Sequence, residues 1–237
     1  MGKFAYITLN QPKPNKNNNP QLAGELRDVC NDINHDRDVN VIILTGKGKV
    51  FYPKTVPTKY HPQDTLADAI AGITKPVIAA INGDALDRGL ELALACDIRI
   101  ASATAHFGFP LITGGFIPSD GGTQRLPRLI SRGKALELIL SGDIINAGEA
   151  LEIGLIHKIL PETELLLEVE KMTATMANKG PFALKYAKEA VLKGMDLTLE
   201  QGLRLEADLY MLLHTTLDRT EGIKAFQQRR PASFKGE

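Results

Sequence analysis

Twenty-five residues from Lys75 to Arg99 carry the densest chemistry in the chain: a buried strand, a tight turn at Asn82-Gly83, a short apolar helix and another strand. That layout aims a helix N-terminus at whatever sits over the turn. Backbone N–H groups there have no intrahelical acceptors, and the aligned peptide dipoles add partial positive charge. The spot therefore suits an oxygen that becomes negative during a reaction, which makes it a candidate oxyanion hole. No Walker-type Gly-Lys-Ser/Thr, dinucleotide fingerprint or zinc-ligand spacing occurs, so nucleotide hydrolysis, hydride transfer and metal catalysis are disfavoured, and no permanently bound cofactor is expected.

The elements that must position this segment are legible in the apolar pattern. Phe4 to Leu9 reads as a strand, and the polar, Pro- and Asn-rich run from Asn10 to Pro20 as a loop. A helix is expected from Gln21 to Ile33, with Leu22, Leu26, Val29, Cys30 and Ile33 at helical spacing. Val41 to Thr45 is a β-branched run that fits a buried strand ending at Gly46. This alternation predicts an α/β architecture with crossover connections. After Gly154 the pattern turns helical, over Glu162 to Lys179, Pro181 to Lys193 and Thr198 to Leu217. In the last of these, Leu199, Leu203, Ala207 and Tyr210 to Leu213 form an apolar stripe too wide for a small helical tail to bury alone. The stripe needs a partner surface.

With 237 residues, 43% of them hydrophobic, the chain can bury a substantial core as one domain plus an appendage. Lys and Arg total 28 against 28 Asp and Glu, so no global field favours nucleic acid or an anionic membrane, and any anionic ligand must be held by local charge. Cys30 and Cys96 lie in apolar helical patterns and read as buried thiols in a reducing compartment. No leader-like opening and no apolar run of membrane-spanning length occurs, and a cytoplasmic protein is expected.

From strand through Asn82-Gly83, Gly89, Glu91 and helix, the Lys75 to Arg99 segment resembles the crotonase superfamily, the enoyl-CoA hydratase and isomerase fold. Further segments match in family order: His106 to Pro110, Gly115 to Pro118, Gly121 to Pro127, Ala135 to Gly142, Ala147 to Leu155 and Glu221 to Phe226. The resemblance runs from about Tyr6 to Lys235. It implies a spiral of repeated β-β-α turns over residues 1–178 and a C-terminal helical trimerisation region over 179–237. A homotrimer or homohexamer acting on an acyl-CoA thioester follows, by hydration or isomerisation through a thioester enolate. Decarboxylation, another non-hydratase reaction, and a catalytically weak acyl-CoA-binding homologue are the alternatives.

Carried onto this sequence, the resemblance implies that the backbone amides of Thr55 and Arg88 form the oxyanion hole, at positions where the family usually has Gly or Ala. Where a Gly-rich triplet is usual, this chain has Asp87-Arg88-Gly89. Asp87 reads as a helix cap, and Arg88 as pointing to solvent or pairing with Glu91. Phe51 to Pro57, around the first donor, is stiffened by Pro53 and Pro57. Glu91 matches the first hydratase glutamate; it is either a general acid or base, or a first-turn Glu favoured by the helix dipole and lowered in pKa by Arg88. The second hydratase glutamate is replaced by Leu111, which is expected to line the acyl pocket. Asp120 is the substitute carboxylate or else a turn residue capping the helix from Thr123 to Leu129. Tyr60 and His61 sit where some members recruit other acid/base groups. Lys13, Lys16 and Lys235 are the candidates for the coenzyme A phosphates.

Overall fold

The computed structural model describes residues 3–10, 20–53 and 65–237. The chain opens with β1 (Phe4–Leu9), α1 (Pro20–His35), β2 (Val41–Gly46), α2 (Leu66–Ala71), β3 (Val77–Ile81), β4 (Ala85–Leu86) and α3 (Arg88–Ala95). It continues through β5 (Ile98–Ser102), β6 (His106–Gly108), a 3-10 helix (Pro110–Gly114), α4 (Gly122–Leu129), α5 (Arg132–Ser141), β7 (Ile144–Asn146), α6 (Ala147–Glu152) and β8 (Lys158–Leu160). Four helices follow, α7 (Glu162–Ala177), α8 (Pro181–Gly194), α9 (Leu199–His214) and α10 (Leu217–Gln227).

Two sheets form. The larger, in order β1-β2-β3-β5-β8, is parallel throughout, and the smaller pairs β4 with β6 in parallel and β6 with β7 antiparallel. Every residue of β2 and β3 is buried, as expected of strands covered on both faces. Alternate side chains divide between two cores. Ile42, Leu44, Val77, Ala79 and Ile81 pack with α1, α2 and α3, while Val41, Ile43, Ile78 and Ala80 pack with Leu165 and Val169 of α7. Each of the Val, Ile and Leu side chains among them contributes about 1.5–3 kcal/mol on burial.

The chain enters the large sheet at β3, crosses to the small sheet at β4 and leaves by α3; β5, β6 and the helices after them repeat that course. These are the β-β-α turns expected. Arg99, almost wholly buried, fixes the far end of α3 by donating to the carbonyls of Cys96 (2.6 Å) and Leu155 (2.8 Å). A cation on the carbonyl end of a helix is favourable. Cys30 and Cys96 are buried free thiols.

Helices α8 to α10 bury little of their own apolar surface. Leu199 is 81% and Phe226 85% exposed, and Leu203, Tyr210, Met211 and Leu212 are exposed along α9. Lys188 ties α8 to the sheet by pairing with Asp97 at 2.7 Å and donating to the Lys75 carbonyl. No helix among the described residues is long and apolar enough to cross a membrane.

Candidate active site

Asn82, just after β3, holds the entrance of the site together. Its Oδ1 accepts from the Gly46 amide at 3.0 Å, and its Nδ2 donates to the carbonyls of Gly46 (3.0 Å) and Gly48 (2.7 Å). One buried side chain thus shapes the turn after β2 that leads to Phe51 and Tyr52. Gly83 lets that turn approach, since a Cβ there would lie 2.3 Å from the Lys49 carbonyl oxygen.

Asp87 precedes α3 with φ 49° and ψ −116°. Gly adopts such a conformation freely, and an L-residue held in a sparse region of this kind costs about 1–3 kcal/mol. The residue is pinned there: its amide donates to the Gly108 carbonyl (2.9 Å) and its carbonyl accepts from the Glu91 amide (3.0 Å). Asp87 occupies the N-cap position as the sequence suggested, but its side chain does not cap α3. Oδ1 instead accepts from the amide of Leu111, at 3.0 Å, on the 3-10 helix.

Arg88 is the first residue of α3, so its N–H is among those without an intrahelical acceptor. Its side chain neither turns simply to solvent nor serves chiefly as a partner of Glu91. Arg88 is half-buried and its charge acts on Tyr52, pulling the pKa of that tyrosine down while burial, the larger cause, raises it.

Glu91, one turn into α3, is 2% exposed. Its Oε1 accepts two amides, those of Asp120 (2.7 Å) and Gly122 (3.0 Å). Burial pushes its pKa up to about 7, outweighing the two amides and the more distant Arg88 charge, all of which pull it down. Of the two readings left open for Glu91, the one with a pKa lowered by Arg88 does not match this direction. A carboxyl poised near 7 populates both protonation states at neutral pH, as a group that both gives and takes a proton requires.

Asp120 is 3% exposed, and its Oδ2 accepts from the amides of Leu66 (2.7 Å) and Ala67 (2.9 Å). It therefore caps the N-terminus of α2, where Thr65 makes no side-chain cap, rather than the start of α4. Burial raises its pKa against those two bonds. Arg125 holds the turn from the other side, donating to the Asp120 carbonyl (2.8 Å) and pairing with Asp68 (2.6 Å). Gly122 must be glycine, because a Cβ there would lie 2.8 Å from Pro118 Cβ and 2.9 Å from Phe109 Cζ.

Asp87, Arg88, Glu91, Phe109, Leu111 and Ile117 line one cavity, with about 30 Å³ of water-accessible space, room for a water molecule or two. Leu111 and Glu91 thus line the same cavity. Thr55, Tyr60, His61, Lys13 and Lys16 lie outside the described residues. Lys235 is exposed in the C-terminal tail, its amide donating to Asp218 at 2.7 Å. Among the described residues no group of three or more His, Cys, Asp or Glu gathers as a metal site would require. The roles of Asn82 and of the Asp87 to Leu111 bond were missed in the sequence. The unusual Asp and Leu at those two motif positions were the signal that could have paired them.

The family model for enoyl-CoA hydratase/isomerase matches residues 54–237. A crotonyl-CoA hydratase of Syntrophomonas wolfei is 37% identical over 245 residues, covering 98% of this chain and 94% of that protein. A probable mitochondrial enoyl-CoA hydratase of Dictyostelium discoideum is 40% identical, covering 98% of this chain and 88% of that one. The crystal structure of an enoyl-CoA hydratase from Bacillus anthracis superposes with a TM-score of 0.91 at 36% identity, over 100% of this chain and 97% of that one. With a β-β-α spiral, a helix N-terminus at Arg88 and a buried near-neutral glutamate, the chain belongs to the enoyl-CoA hydratase/isomerase family and is an enzyme of that type.

Proposed function

We propose that the protein moves a proton at the α-carbon of an acyl-CoA thioester, with Glu91 as the proton carrier and the thioester oxygen polarised by the amides of Arg88 and Thr55. The observation that carries this reading is Glu91 itself: buried, held by two amides, raised to about 7 and facing the cavity at the start of α3. Neutral Glu91 protonates the α-carbon as an enolate collapses, and ionised Glu91 removes that proton in reverse. Two N–H groups aimed at the thioester oxygen stabilise the charge that develops between those states. Hydration and double-bond isomerisation share this step. Asp120 acts as a positioning residue, since its backbone N–H holds Glu91 and its carboxylate holds α2. Decarboxylation through Tyr60 and His61 rests on residues outside the described ones.

In the same reading, residues 1–178 form the catalytic spiral, and residues 179–237 bring copies of the chain together, because α9 and α10 leave Leu199, Leu203, Tyr210 and Phe226 exposed. A trimer or hexamer in the cytoplasm, drawing on acyl-CoA and holding its phosphates with lysines such as Lys235, completes the proposal.

Exchange of the α-protons of butyryl-CoA in D2O, followed by NMR, tests the core of it. The enzyme should catalyse exchange, and Glu91→Gln should slow it by about 10²–10⁴-fold. Full exchange in Glu91→Gln would remove Glu91 from the mechanism.

A further inference from the structure

Arg88 is the only cation among the described residues that line the cavity at the start of α3. We infer that its guanidinium binds a second carboxylate on the substrate, so that the preferred thioester carries a short acyl chain ending in a carboxylate. This substrate class rests on the reading of the Arg88 amide as a donor to the thioester oxygen and deepens it; the role of Glu91 does not enter.

The charge of Arg88 lies inside the site. Arg88 is half-buried, and its charge acts on Glu91, Asp120 and Tyr52, all three of them buried. A guanidinium extended into solvent would be screened from all three, so this one lies on the cavity side of α3. It has no anion to neutralise it there: among the described residues no carboxylate forms an ion pair with Arg88. The acids around it are engaged by backbone instead. Glu91 accepts the amides of Asp120 and Gly122, Asp120 those of Leu66 and Ala67, and Asp87 that of Leu111. Leu111 and Ile117 bring no charge to the cavity. A cation partly removed from water without an anion beside it is costly, and a carboxylate that enters supplies that anion through short, charge-assisted hydrogen bonds.

Size and reach set the chain length. The cavity offers about 30 Å³ of water-accessible space, which suits a carboxylate group better than a long alkyl chain. The amide and the guanidinium belong to one residue, so the thioester oxygen and the second carboxylate must lie within about one arginine side chain of each other. A short dicarboxylic chain such as glutaryl meets that limit. Arginine also suits the task by shape, because its planar fork matches the two oxygens of a carboxylate where a lysine offers a point charge.

The experiment compares glutaryl-CoA with pentanoyl-CoA, which has the same number of carbons and no second carboxylate, by isothermal titration calorimetry at neutral pH and by α-proton exchange in D2O. Wild type should bind glutaryl-CoA about 10–100-fold more tightly, and kcat/KM for exchange should favour it by a similar factor. Arg88→Met keeps the backbone amide and much of the side-chain volume but carries no charge. It should bring the two affinities to within a few-fold of each other, whereas Arg88→Lys should retain part of the preference. Wild-type affinities that already lie within a few-fold of each other would overturn the assignment, and that comparison stands whether or not Arg88→Met folds. A preference that persists undiminished in folded Arg88→Met would overturn it too, because the second carboxylate would then be held elsewhere. A wild type that binds both esters equally and exchanges the α-protons of pentanoyl-CoA refutes the second carboxylate while leaving the acyl-CoA reading in place. A wild type that binds neither ester and exchanges neither refutes the reading beneath it.

Discussion

Glu91→Gln should make the protein slower and more stable at once. In the folded protein the carboxyl rises from 4.5 to about 7, so ionising it costs folding free energy. At about 1.4 kcal/mol per pH unit, the penalty approaches about 3 kcal/mol once the folded group is ionised. Because the folded pKa is the raised one, the stabilisation from neutral Glu91 is fully present below pH 4.5 and is lost as pH rises through about 7. Gln is neutral at every pH and can still accept the amides of Asp120 and Gly122 through its oxygen. The variant should therefore exceed wild type by about 3 kcal/mol at pH 8 and by under about 1 kcal/mol at pH 5. For a chain of this size that corresponds to about 6–12 °C in Tm at pH 8. Urea unfolding of both proteins at the two pH values measures the gap, and other titrating groups cancel in the comparison. Activity should fall by about 10²–10⁴-fold, a barrier increase of about 3–5 kcal/mol. A variant less stable than wild type at pH 8, or a gap that does not change with pH, would refute the claim that burial governs this carboxyl.

Gly122→Ala should push the turn away from Phe109 and Pro118, destabilising the fold by about 1–3 kcal/mol and, by withdrawing an amide from Glu91, lowering kcat by about 10²-fold. Wild-type kcat in that variant would show that the amide is dispensable. Asp120→Asn should keep activity within a few-fold, since an amide oxygen can still cap α2, whereas Asp120→Ala should cost about 1–2 kcal/mol in urea unfolding. A loss of about 10²-fold in Asp120→Asn would make Asp120 catalytic. Light scattering at micromolar concentration should give the mass of a trimer or hexamer, and a clean monomer would leave the exposed face of α9 unexplained.

The sequence by itself determined the elements whose pattern is local. The strand read over Phe4 to Leu9 has those bounds, and Val41 to Thr45 gains only Gly46, because short runs rich in apolar and β-branched residues between turn residues have little alternative to a strand. The helix expected from Gln21 to Ile33 runs Pro20–His35, and the three C-terminal helices form close to their expected places. The motif around Asn82, Gly89 and Glu91 identified the family, and the odd residues at 87, 88 and 111 were visible as departures. Only the tertiary structure decided what those residues do. Asp120 lies next to α4 in sequence yet caps a helix whose first amides are 53 and 54 residues away. Glu91 has a cation three residues before it, and on local charge a lowered pKa was one of the two readings open for it. Removal from water by surrounding segments reversed that sign, since desolvation depends on the whole packed shell and not on chain neighbours. The bond from Asp87 to Leu111 spans 24 residues between two β-β-α turns, and sequence periodicity carries no information about which departures from a motif will meet.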